Sequence, residues 1–144
     1  MNENISERFV IWYHDRKGGT RLICGIGTDI VEIARVRKTI AREAFRTRVF
    51  TELERAYADG RGKQAAASYA ARFAAKEAVL KAFGTGLRGG ALAEIEVHTD
   101  ALGAPSIALH GYFAHLAAEK RIARILISLS HSREYATATC VMEG

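Results

Sequence analysis

The chain has 144 residues, 49% of them apolar and 26% charged, which supports one core and excludes a disordered tail, a collagen-like fibre and a disulfide scaffold. Two cysteines, Cys24 and Cys140, supply no disulfide framework and no cysteine-rich zinc set; their apolar surroundings predict reduced core thiols in a cytoplasmic protein. The net charge of +5 is concentrated in Arg35, Arg37, Lys38, Arg42, Arg46 and Arg48, opposed in that stretch only by Glu43, so a polyanionic partner competes with a merely solvated helix face.

Residues 1–20 are expected to be an N-terminal extension, set off by Gly18-Gly19, and residues 21–144 a single domain. The only apolar run in the extension is Phe9 to Tyr13, too short for a signal-peptide core, and no membrane-spanning run is visible. Leu22 to Ile33, with glycines at 25 and 27, predicts a buried strand ending near Asp29. A helix follows over about 31–42, with Ile33, Val36 and Ile40 inward. Thr51-Glu52-Leu53-Glu54 is a capping box opening a short helix. The longest helix spans about 63–83, with Ala66, Tyr69, Phe73, Leu80 and Phe83 inward and Gly84 as its cap.

The period then changes. Strands are expected over 92–99 and 106–110, a short helix over 112–120, and a final hairpin in which Ile125, Ile127 and Leu129 alternate, as do Tyr135, Thr137, Thr139 and Val141. The order predicts an α+β fold, an antiparallel sheet packed against one long helix and shorter ones.

Three pieces could carry chemistry. Arg72 and Lys76 stand four apart on the long helix, as do Glu77 and Lys81, whose spacing an exposed Glu-to-Lys helix pair would also explain. Asp29 leaves an apolar strand, where it could cap the next helix or, with a second carboxylate, hold a hard cation. His131 lies among Ser128, Ser130 and Ser132, short donors suited to phosphate or simply a polar hairpin tip. Gly84-Thr85-Gly86-Leu87-Arg88-Gly89 matches a dinucleotide fingerprint, but a helix precedes it and a strand follows; a tight loop approaching phosphate fits better.

Taken in order, GIGTDIVEI (25–33), FRTRVFTELE (45–54), RFAAKEAVLKAFGTG (72–86) and SLSHSREYA (128–136) resemble the phosphopantetheinyl transferase family, in its small holo-acyl-carrier-protein synthase type. The resemblance runs from about residue 22 to the end. It implies transfer of 4'-phosphopantetheine from coenzyme A to a serine of apo acyl carrier protein, releasing 3',5'-ADP, in fatty acid biosynthesis. It implies Mg2+ on Asp29 and Glu77, with Lys81 neutralising pyrophosphate. Arg72, Lys76, Gly84, Thr85, Gly86 and His131 would line the coenzyme site, and Arg35 and Arg42 would dock the acidic carrier protein. The type also implies a homotrimer with active sites between subunits. The extension departs from that pattern. A small nucleic-acid-binding domain would leave Glu77 and His131 unexplained, and a non-catalytic carrier-binding module would leave the acid pair unused. Neither nucleic acid nor a membrane is expected as a partner.

Overall fold

The computed structural model describes residues 9–10 and 21–144. The expectation for residues 1–20 otherwise lies outside the described residues. Phe9–Val10 (β1) pairs antiparallel with a later strand. Next come β2 (Ile23–Glu32), α1 (Ile33–Ile40), α2 (Glu43–Val49), α3 (Glu52–Asp59) and α4 (Ala65–Phe83). They are followed by β3 (Ile95–Thr99), β4 (Pro105–Leu109), α5 (Gly111–Glu119), β5 (Arg124–His131) and β6 (Tyr135–Glu143). The α+β class holds, and among the described residues the strands form two three-stranded antiparallel sheets rather than one, ordered β1-β4-β3 and β2-β6-β5.

α4 lies against the β2-β6-β5 sheet, and small residues bring the two close. A Cβ at Gly27 would overlap the Ala78 carbonyl oxygen and stand 2.8 Å from the Ala82 nitrogen. Across the sheet, Gly27 pairs with Cys140 and Gly25 with Met142. The core-facing residues of β6 are therefore Ala136, Ala138, Cys140 and Met142, all buried. Tyr135, Thr137, Thr139 and Val141, picked out by alternation, form the opposite face; small side chains under a helix carry little hydrophobic signal. α4 is buried on nearly every side, so its core is wider than the expected stripe.

β2 runs through Glu32, paired with Tyr135, so α1 begins at Ile33, and Glu32 makes no side-chain cap. Asp29 is thus inside a strand and caps nothing. The Thr51–Glu54 capping box forms as read, with Glu54 N donating to Thr51 Oγ1 at 3.2 Å and Thr51 N to Glu54 Oε1 at 3.1 Å. Gly84 ends α4 at φ 75°, a left-handed conformation that favours glycine. α2 was not anticipated: one apolar pair, Phe45 and Val49, gives it little periodicity. Cys140 is buried, but Cys24 is exposed, because it neighbours the bulge between Ile23 and Gly25 at a sheet edge.

Candidate active site

β2 delivers Asp29 and α4 delivers Glu77 and Lys81 to one place. Gly25 and Gly27 let β2 press against α4, and Lys81, one turn beyond Glu77, reaches back across the contact. Its Nζ donates to Asp29 Oδ1 and to the Thr28 carbonyl, both at 2.9 Å. Burial and the charge of Asp29 push the Glu77 carboxyl above its usual range, with Lys81 opposing. A half-buried carboxyl whose ionisation is disfavoured by a neighbouring carboxylate is a hard-oxygen site that a divalent cation would relieve. Two protein ligands leave the remaining positions to phosphate oxygens and water, which is how Mg2+ is commonly held. The donor set fits that ion.

A cleft of 670 Å3 opens from the acid pair. Arg35, Thr39 and Arg42 of the α1 region line it with Asp29 and Glu77, and Val36, Phe45, Phe73 and Tyr135 contribute to its wall. On the other flank of Glu77, a 390 Å3 hollow is lined by Lys81, Gly84, Gly86 and Leu87, so the glycine loop adjoins the acid pair. Gly84 and Gly86 both have positive φ. Thr85 Oγ1 donates to the Gly86 carbonyl at 3.4 Å.

Arg72 and His131 lie elsewhere. They line a third cleft of 360 Å3 with Tyr57, Arg61, Ser68 and Thr99, and Asp29, Glu77 and Lys81 take no part in it. The Arg72 guanidinium sits 4.1 Å from the centre of the Tyr57 ring. It donates to Ser68 Oγ at 2.9 Å and Thr99 Oγ1 at 2.8 Å, while its Nε is buried with no partner among the described residues. Burial is the main influence lowering the Arg72 pKa.

Lys76 requires a correction. It is fully buried, and its ammonium donates to Glu54 Oε1 at 2.7 Å and to the carbonyls of Leu92 at 3.0 Å and Ile95 at 2.6 Å. All three donors are used inside the protein, so Lys76 does not line the coenzyme site. The family resemblance set Lys76 at the coenzyme, and no local pattern marks a lysine as buried. The basic patch is also thinner than its sequence: Arg46 is engaged by Glu43 at 3.0 Å and Asp59 at 3.3 Å. Tyr57, Arg61, Ser68 and Thr99 went unread, because they lie on separate elements and no local pattern joins them.

Residues 25–140 match the model of the 4'-phosphopantetheinyl transferase superfamily. The chain belongs to this superfamily. It is an enzyme of the holo-[acyl-carrier-protein] synthase type. The holo-[acyl-carrier-protein] synthase of Serratia proteamaculans is 45% identical over 125 residues, covering 85% of this chain and 98% of the relative. A crystal structure of the Neisseria meningitidis holo-[acyl-carrier-protein] synthase superposes with a TM-score of 0.77 at 36% identity, over 85% of this chain and all of that one. The Bacillus anthracis holo-(acyl-carrier-protein) synthase, solved in complex with CoA (3',5'-ADP), gives a TM-score of 0.70 at 38% identity, over 85% and 97%. Among the described residues of this transferase, no helix is long and apolar enough to cross a membrane.

Proposed function

We propose that the protein transfers 4'-phosphopantetheine from coenzyme A to a serine of apo acyl carrier protein, in the cytoplasm, in the service of fatty acid biosynthesis. The observation that carries this reading is the convergence of Asp29, Glu77 and Lys81 at the end of a cleft whose other side bears Arg35 and Arg42. The serine hydroxyl gives its proton to water as its oxygen bonds to the phosphorus bearing pantetheine, the bond from that phosphorus to the bridging oxygen breaks, and 3',5'-ADP leaves with the bridging oxygen.

Mg2+ held by Asp29 and Glu77 would supply the Lewis acidity that polarises the pyrophosphate. Lys81 stands beside Asp29, where its ammonium neutralises charge developing on the leaving oxygen. The glycine loop offers backbone amides to phosphate. Arg35 and Arg42 steer the acidic carrier protein so that its serine arrives over the acid pair. The chain itself needs no nucleophile, and catalysis reduces to positioning and charge.

The enzyme is read here as a homotrimer with active sites between subunits. The face of the β2-β6-β5 sheet turned away from α4 carries Ile26, Ile30 and Leu126, all exposed, which suits contact with another copy. Such an assembly lets the Arg72–His131 cleft of one subunit receive the 3'-phosphate of a coenzyme whose pyrophosphate lies at Asp29 and Glu77 of its neighbour. The test is the intact mass of apo acyl carrier protein after incubation with coenzyme A, with Mg2+ or with chelator. A gain equal to phosphopantetheine only with metal is expected; no gain across several carrier proteins overturns the reading.

A further inference from the structure

We infer that Lys76 is a positioning residue for coenzyme binding, a clamp holding together the two elements that fix Arg72; this rests on the function proposed above. One turn before Lys76 on α4, the Arg72 side chain is held by Ser68 of its own helix and by two partners on other elements. Tyr57 of α3 stacks under the guanidinium, and Thr99 of β3 accepts from it at 2.8 Å. Lys76 binds the same two elements from inside. Glu54 ties its ammonium to α3, and the Ile95 carbonyl ties it to the start of β3. A third bond, to the Leu92 carbonyl, fixes the turn leading into β3.

Glu54 extends the clamp. Its Oε1 also accepts from Thr51 N, anchoring the first turn of α3, and its Oε2 accepts from Val97 N at 3.4 Å. Both charges of the pair are wholly buried. A buried ion pair is a poor general stabiliser but a directional one, because the carboxylate and carbonyls are satisfied in only one arrangement of α3, α4 and β3. Without it, apolar packing still holds these elements together. It does not fix Tyr57 and Thr99 to the precision that a two-sided grip on Arg72 requires.

The test uses the full-length enzyme and compares wild type, Glu54→Gln/Lys76→Met, which removes both buried charges together, and the milder Glu54→Gln. Steady-state transfer to apo carrier protein gives kcat, KM for coenzyme A and KM for carrier protein, and circular dichroism checks folding. The clamp predicts a KM for coenzyme A raised about ten-fold in the double variant and about three-fold in Glu54→Gln, with kcat and the carrier-protein KM within about two-fold. A residue that only stabilised the fold would lower kcat through loss of active enzyme and leave KM alone. An unchanged KM for coenzyme A in either folded variant overturns the clamp. Absence of transfer by wild-type enzyme would instead remove the functional reading on which it rests.

Discussion

Replacing Gly27 by alanine is expected to damage stability and turnover together, through one contact. The added Cβ would overlap the Ala78 carbonyl oxygen and press on the Ala82 nitrogen at 2.8 Å and the Ala78 carbonyl carbon at 2.9 Å. All three are backbone atoms of α4, so no side chain can swing aside. Relief requires β2 to retreat by about 1 Å, a backbone-level overpacking that costs about 3 kcal/mol. For a chain of this size that lowers Tm by about 10 °C. Asp29, two residues along the same strand, moves with it and away from Lys81, now 2.9 Å distant. A displacement of about 1 Å at a reacting centre costs about 100-fold in rate. Scanning calorimetry and transfer turnover at a temperature where the variant is folded measure the two effects. A Gly27→Ala protein with Tm within about 2 °C of wild type and turnover within about two-fold would refute the coupling of strand packing to the acid site.

Glu77→Gln should lose about 100-fold or more in turnover while gaining stability without divalent cation, by about 1–3 °C at pH 7. The sign follows from the raised native pKa of Glu77: its charged form is disfavoured by burial and by Asp29, so the gain disappears below pH 4.5, where the carboxyl is protonated folded or unfolded. Calorimetry across pH checks this; a gain that persisted in acid would contradict it. Arg35→Glu should raise the KM for carrier protein about ten-fold, and more at low salt, with coenzyme A binding unchanged. Salt-dependent kinetics would expose a failure of this docking role as an unaltered carrier-protein KM.

Local rules made much of the fold legible. The capping box at Thr51, the left-handed stop at Gly84 and the alternation of Ile95, Val97, Ile107 and Leu109 are short-range signals, and each corresponds to an observed feature. Asp29 is distant in sequence from Glu77 and Lys81 and adjacent to them in space; the family resemblance joined them, where spacing alone left an ordinary helix pair. The inner face of β6 was hidden because alanines under a close-packed helix look unremarkable. The resemblance set Lys76 at the coenzyme, whereas its partners come from α3 and β3, which no local pattern signals. The separation of Arg72 and His131 from the acid pair had no sequence signal, since Arg72 and Glu77 sit in opposite halves of α4 and open onto different clefts.

The account turns on the claim that clefts from two subunits form one active site. Mixing two inactive variants tests it directly: Glu77→Gln, which lacks the acid pair, and His131→Ala with Arg72→Ala, which lacks the other cleft. After dissociation and reassembly together, some sites receive an intact acid pair from one subunit and an intact Arg72–His131 cleft from its neighbour. Recovery of a substantial fraction of wild-type transfer only in the mixture is the predicted result. Inactivity of a mixture shown to contain hybrid assemblies would contradict the shared site.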